Sequence, residues 1–414
     1  MQTHLADFIR DTPAGREADA ILRACVHCGF CTATCPTYQL LGNELDGPRG
    51  RIYLIKELLE GAAVTSMTQL HLDRCLSCRS CETTCPSGVR YSRLLDIGRA
   101  VVAKRVGRGR LEELKRSLLK RLLLTRWLFA PAYRLGQRLR PILPAALRAM
   151  VLPYRNPGAW PRPAEDKMRR MIALAGCVQP TMAPNINAAA SRVLHALNIT
   201  LIEAPQAGCC GALPFHLDDI AAARSAARRN IDAWWPLLEG GAETIVMTAS
   251  GCGVHVRDYA HLLEEDPDYA KKAARVALLT RDVSEVVAAE KSGLLGLLAK
   301  AEAAMEKPKL AFHAPCTLQH GQNIRGAVEE LLAAAGYQLT PVADSHLCCG
   351  SAGSYSVLQP EIATRLRDNK ISALTSGLPA AIATANIGCL AHLQSGSDLP
   401  VRHWIELLDQ RLSH

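Results

Sequence analysis

Two runs of one pattern constrain this chain more than anything else in it: Cys25, Cys28, Cys31 and Cys35 before Pro36, and Cys75, Cys78, Cys81 and Cys85 before Pro86. Each run reads C-x2-C-x2-C-x3-C-P. Three thiols two residues apart wrap a loop around one face of an iron–sulfur cube, and the fourth, after a three-residue step, points away to the other centre. The spacing predicts one [4Fe–4S] centre on Cys25, Cys28, Cys31 and Cys85, and a second on Cys75, Cys78, Cys81 and Cys35. A pair of zinc sites is the alternative, but zinc ribbons join two C-x2-C knuckles and leave no use for a third thiol per run or for the prolines. Between the runs lies "DGPRGRIYLIKELLEG", with Gly47 and Pro48 as breakers and Ile52, Ile55, Leu58 and Leu59 at helical spacing. Residues 1–100 therefore read as a small, mostly helical two-cluster domain.

Sixteen cysteines in 414 residues would suit disulfides only in a short secreted chain. Met1–Arg10 has no apolar leader core or cleavage site, so the expectation is reduced thiols in a cytosol. No run of 18 apolar residues reads as a membrane span. With 49% apolar and 21% charged residues the chain is globular, although only 5% is aromatic. The net charge of +9 is local: residues 101–150 carry thirteen Lys/Arg against Glu112 and Glu113, and the remainder is nearly neutral. Residues 101–165 contain no cysteine and seven prolines, the pattern of a basic helical linker. Apolar residues from Leu111 to Leu128 recur at helical spacing with Lys115, Arg116, Lys120, Arg121 and Arg126 between them, predicting a basic amphipathic helix. Its apolar face packs on protein or lies on an anionic membrane surface, with Trp127 at headgroup level. Scarce aromatics argue against single-strand nucleic acid as a partner.

The C-terminal part contains an internal repeat. Cys177, Cys209, Cys210 and Cys252 recur as Cys316, Cys348, Cys349 and Cys389, with "AGCCGALPFH" matching "HLCCGSAGSY" and "SGCGVH" matching "NIGCLAH", so that His255 and His392 also correspond. In each copy short apolar runs alternate with Ala/Leu-rich helical stretches and precede the cysteines, which predicts parallel βα units with the thiols in loops after the strands. Scattered cysteines can be small core hydrophobes. The repeated spacing and the glycine after each Cys-Cys favour a metal or redox role for at least one copy, giving one or two further clusters.

No G-x-G-x-x-G fingerprint occurs, and no acid/base pair or nucleophile can be nominated as catalytic. A chain with clusters and no flavin or nicotinamide of its own passes electrons for a partner.

The two cysteine runs, "DGPRGR" between them and the paired Cys-Cys-Gly repeats together resemble the iron–sulfur subunits of bacterial glycolate oxidase over nearly the full length. The chain is similar more distantly to the iron–sulfur component of anaerobic glycerol-3-phosphate dehydrogenase, to lactate-utilisation iron–sulfur proteins and to the Cys-Cys-Gly component of heterodisulfide reductase. The fold expected is mainly α and α/β: an N-terminal α-helical ferredoxin domain (1–100), a basic helical linker (101–165) and a C-terminal pair of βα Cys-Cys-Gly domains (166–300 and 301–414). The resemblance implies electron relay from flavin-containing subunits that oxidise glycolate to glyoxylate toward a membrane quinone, and a cytoplasmic location peripheral to the inner face of the membrane. Alternatives are a heterodisulfide-type thiol–disulfide reductase and the iron–sulfur subunit of a lactate or glycerol-3-phosphate dehydrogenase. The repeats end in Cys252-Gly-Val-His255 and Cys389-Leu-Ala-His392, where heterodisulfide reductase has C-x-x-C, which departs from its non-cubane cluster and its chemistry.

Overall fold

The computed structural model describes residues 1–161, 169–300 and 307–412. Its contacts group the chain into two units, one of residues 1–116 and 346–370, the other of residues 117–345 and 371–414. The break after Arg116 falls within the basic stretch, so residues 101–165 are divided between the units. Of the limits drawn on the sequence, 165/166 lies among residues outside the described ones and 300/301 borders them.

The first unit is helical. Thr12 accepts from the Gly15 amide and Pro13 occupies the first turn, which starts the helix Pro13–Ala24. Pro36 opens Pro36–Leu41 and Pro48 opens Pro48–Leu59. Ile55, Leu59, Leu72, Leu94 and Leu95 are fully buried where Pro48–Leu59, Ser66–Asp73 and Tyr91–Arg105 meet. Gly98 makes this close packing feasible, since a Cβ there would lie 2.7 Å from Ile55 Cγ1.

The second unit holds two parallel four-stranded sheets. Strands β1 (Arg169–Ala173), β2 (Ile199–Glu203), β3 (Ile245–Met247) and β4 (Thr280–Asp282) lie in the order β2-β1-β3-β4. Strands β5 (Lys309–His313), β6 (Gln338–Leu339), β7 (Ala381–Thr384) and β8 (Val401–His403) repeat it as β6-β5-β7-β8. Parallel neighbours require crossover connections, and the alanine-rich helices Asn185–Ala196 and Ile220–Glu239 supply them in the first copy. Fully buried Trp234 packs into the cluster containing Ile172, Ile245 and Met247. The sequence runs expected to be strands, including the one before each Cys-Cys-Gly, are β1, β2 and β3 in the first copy and β5, β6 and β7 in the second. The short fourth strands, β4 and β8, carried no apolar run long enough to announce them.

Within this unit the two sheets are tied through the ends of their third strands. The Ser250 amide donates to Ala385 O (3.2 Å) and the Gly251 amide to Asn386 Oδ1 (3.3 Å). Buried His403 adds Nε2–H donation to Thr248 O at 2.9 Å.

Candidate functional site

Both cysteine runs fold alike. Each makes a loop followed by a short helix, Phe30–Ala33 or Ser80–Thr84, that carries the third cysteine. In the first loop His27 (φ +57°) and Gly29 (φ +84°) are left-handed, and in the second Ser77 (φ +52°) and Arg79 (φ +60°) are. Three of these four are not glycine, so each loop holds backbone strain of order 1 kcal/mol per such residue, at equivalent positions in both. Left-handed residues at this spacing curl the chain so that successive amides face a concave, anion-binding side.

The loops enclose two cavities. Cys25, Cys28, Cys31 and Cys85 line the first. Cys35, Cys75, Cys78 and Cys81 line the second. Cys81, Pro48 and Tyr91 line both and form the wall between them. In each cavity the fourth thiol thus comes from the other run. Burial, reinforced by Cys25, pushes the Cys31 thiol up to about 11, and burial likewise raises Cys81 well above the ordinary thiol value. Thiols gathered in this way stay protonated near neutral pH and lose their protons to solvent when a metal binds the thiolates. Four sulfur donors per cavity and a concave backbone fit a [4Fe–4S] group in each.

Residues that sequence reasoning left without a role surround the second cavity. Arg51, 1% exposed, donates from Nε to His71 O (2.7 Å) and from Nη1 to Thr37 Oγ1 (3.2 Å), and Thr37 Oγ1 lies 3.3 Å from Cys35 Sγ. The Asp46 carboxylate receives His71 Nδ1 at 2.9 Å and Arg74 Nη1 at 3.0 Å, with Arg51 Nη2 at 3.7 Å. The Tyr91 hydroxyl donates to Cys75 Sγ at 3.7 Å. The signal was in "DGPRGR": a second arginine one residue before an apolar helical face, where a solvated residue would not be expected to fall inside.

In the C-terminal repeats the Cys-Cys-Gly turns are superposable in their bonding. The Gly211 amide donates to Cys209 Sγ and the Gly350 amide to Cys348 Sγ, both at 3.4 Å. Both glycines are left-handed, at φ +97° and +87°. A Cβ on Gly211 would meet Ala223 O and His255 Nε2 at 3.1 Å, and one on Gly350 would meet Ala363 O at 2.6 Å. In the first copy Asn230 Nδ2 donates to Cys209 O (2.9 Å) and the Tyr259 hydroxyl to Cys210 O (2.6 Å), which pins the turn from behind. The four thiols Cys177, Cys209, Cys210 and Cys252 lie together: hydrogen bonds from Cys177 and Cys210 hold Cys209 well below the ordinary thiol value, and Cys210 also bonds Cys252. His255 is buried between Phe215 and Tyr259, with ring centroids at 5.4 and 5.9 Å. In the second copy Cys316 and Cys389 belong to the second unit and Cys348 and Cys349 to the first. There Asn386 Nδ2 approaches Cys389 Sγ at 3.6 Å.

The basic stretch is helical over Arg110–Leu124 and again over Arg126–Leu139, with a break at Thr125, so the single helix expected from Leu111 to Leu128 is two. Thr125 leaves helical geometry (ψ +87°), which ends the first helix. The orientation of Arg110–Leu124 is the reverse of an ordinary surface helix. None of its residues is buried, and Leu111, Leu114, Leu118 and Leu122 form an exposed ridge on one side. On the opposite side Arg116 joins Arg108 on Asp73, while Lys120 pairs with Asp219 at 2.6 Å. Charges hold the helix to the protein and leucines face out. No helix among the described residues is long and apolar enough to cross a membrane.

The sequence matches the 4Fe-4S dicluster domain family over residues 21–89 and the Cysteine-rich domain family twice, over residues 172–257 and 310–394. It is 53% identical over 412 residues to the glycolate oxidase iron-sulfur subunit of Escherichia coli (strain K12), covering 100% of this chain and 99% of that protein. It is 30% identical over 401 residues to the probable glycolate oxidase iron-sulfur subunit of Bacillus subtilis (strain 168), covering 90% and 88%. Lactate utilization protein A of Exiguobacterium sp. (strain ATCC BAA-1283 / AT1b) is 24% identical over 250 residues, which cover 59% of this chain and 98% of that one. With two cysteine runs that exchange their fourth thiols, a duplicated Cys-Cys-Gly fold and identity that spans the whole length, the chain belongs to the family of glycolate oxidase iron-sulfur subunits.

Proposed function

We propose that this chain is the electron-transfer iron–sulfur subunit of a glycolate-oxidising complex. Flavin-containing partner subunits convert glycolate to glyoxylate, releasing two electrons and two protons; this chain carries the electrons onward to a membrane quinone, which takes up two protons to become the quinol. The observation that carries the reading is the pair of cavities sharing the wall of Cys81, Pro48 and Tyr91, each lined by three thiols of one run and joined by the last thiol of the other, Cys85 in the first and Cys35 in the second. Bound clusters supply one-electron storage, and the chain's own part is to hold them side by side in low-dielectric surroundings.

The N-terminal ligands are Cys25, Cys28, Cys31 and Cys85 for one centre and Cys75, Cys78, Cys81 and Cys35 for the other. Cys177, Cys209, Cys210 and Cys252 hold a further cluster, and the matching Cys316, Cys348, Cys349 and Cys389 supply the donors of a fourth site by the equivalence of the repeats. The outward leucine ridge of Arg110–Leu124, flanked by exposed Lys115 and Arg121, lays the chain on an anionic membrane surface and brings the electron exit to the quinone.

Anaerobically purified chain, alone and with its flavin partners, tests this. Iron should approach about 16 atoms per chain with both repeats loaded, about 12 with one, and about 8 with neither. Glycolate should reduce the clusters only when the flavin subunits are present. Reduction of a disulfide by the isolated chain from a low-potential donor, with no glycolate response in the complex, would replace this reading with the reductase one.

A further inference from the structure

The two N-terminal cavities differ in electrostatics far more than in sulfur donors. The first has Arg49 at its rim, a guanidinium 40% exposed and already paired with Glu44 at 2.6 Å. The second has Arg51 in its lining with a side chain 1% exposed, and Arg74 beyond it, both sharing the single buried carboxylate of Asp46. Two permanent positive charges therefore face one negative charge, with Arg51 and Asp46 shielded from water and Arg74 at the partly exposed edge. Arg99 adds a third guanidinium on the Cys75 side, donating to Cys75 O at 2.9 Å. Adding an electron to a cluster adds negative charge, so nearby fixed positive charge and hydrogen bonding toward its sulfurs stabilise the reduced form and raise the potential. The path from Arg51 to the donor set is short: the guanidinium donates to the Thr37 hydroxyl, which donates to Asp46 O at 2.8 Å and lies 3.3 Å from Cys35 Sγ.

Resting on the two-cluster reading above, we infer that Arg51 is a positioning and potential-setting residue that makes the centre of Cys35, Cys75, Cys78 and Cys81 the higher-potential member of the N-terminal pair. Electrons entering this unit then come to rest at that centre, and the shared wall of Cys81 and Tyr91 is crossed in one favoured direction. A merely structural Arg51 would bridge Pro48–Leu59 to the carbonyl of His71 with no effect on potential.

The test is a redox titration of the cluster-loaded chain followed by electron paramagnetic resonance. Cys78→Ser marks the signal of the second centre, because Cys78 lines that cavity alone. In the wild type the marked signal should appear first on reduction. Arg51→Met should move its midpoint to more negative potential by more than it moves the other, Arg51→Lys should restore most of the shift, and Arg49→Gln should move neither centre comparably. Should Arg51→Met fail to assemble, Arg74→Gln, at the half-exposed edge of the network, should give a smaller shift of the same sign. A marked signal that appears last, or loaded variants of Arg51 and Arg74 that move both midpoints equally or not at all, overturns the inference. A wild-type chain lacking iron and any resonance signal would instead overturn the two-cluster reading itself.

Discussion

Both halves of this chain are duplications, and they are put together in opposite ways. The N-terminal cysteine runs are interlocked, since each cavity borrows its fourth thiol from the other run. The C-terminal copies each build their own sheet in the same strand order, and the first copy gathers Cys177, Cys209, Cys210 and Cys252 by itself. The difference follows from chain length between donors. A C-x2-C-x2-C loop covers only one side of a cluster, so the fourth donor is best reached from elsewhere. A βα unit with strands leading to separate loops brings distant donors to one sheet edge, so the first repeat can be self-sufficient.

The largest effect should come from breaking the interlock. Cys35→Ser should damage the signal of the centre of Cys75, Cys78 and Cys81 and spare that of Cys25, Cys28 and Cys31, with Cys85→Ser doing the reverse; each should cost about half of the N-terminal iron. Resonance spectra in which Cys35→Ser harms only its own run would make the two halves alike after all.

The join between the C-terminal sheets should break with acid. Burial lowers the pKa of His403 from 6.5 to about 4, against the opposing bond to Thr248 O. The unfolded chain binds a proton at this residue below about pH 6.5 and the folded chain only near 4, so the stability present above 6.5 is lost as pH falls between these values, on the order of 3 kcal/mol in all. Denaturant titrations across this range should show that slope, and His403→Gln should flatten it.

The two Cys-Cys-Gly turns can be ranked. Gly350→Ala puts a Cβ 2.6 Å from a backbone oxygen where Gly211→Ala meets one at 3.1 Å, both at left-handed φ. Thermal unfolding should show roughly 3 kcal/mol lost for the first and roughly 1.5 for the second. Equal losses would mean that the turns relax alike despite their different surroundings.

The smallest effect on stability should come from the ridge. Leu114→Glu with Leu118→Glu changes two side chains on exposed positions, so stability should stay within about 0.5 kcal/mol. Binding of the complex to anionic vesicles in flotation assays should nevertheless fall steeply. Neutralising Arg116 or Lys120 is the poorer test, because both are engaged in ion pairs that hold the helix.

Much was readable from the residues alone. Tight motifs such as C-x2-C-x2-C-x3-C-P and Cys-Cys-Gly encode their geometry within a few residues, and the 139-residue offset of Cys177, Cys209 and Cys210 to Cys316, Cys348 and Cys349 exposed the duplication. The strands β1, β3, β5 and β7 announced themselves as apolar runs because central parallel strands are buried on both faces, and the strand-like runs before each Cys-Cys-Gly announced β2 and β6. Three features needed the folded chain. The role of Arg51 depends on a helix carrying it to Thr37 and His71, which lie 14 and 20 residues away. The outward face of Arg110–Leu124 depends on which side of an amphipathic helix finds partners, and here Asp73 and Asp219 chose the charged side. The link between the sheets depends on His403 reaching Thr248, 155 residues distant. Local spacing determines which donors can share a centre; only long-range packing decides which charges surround it, because burial and electrostatic screening belong to the assembled fold and not to any segment of it.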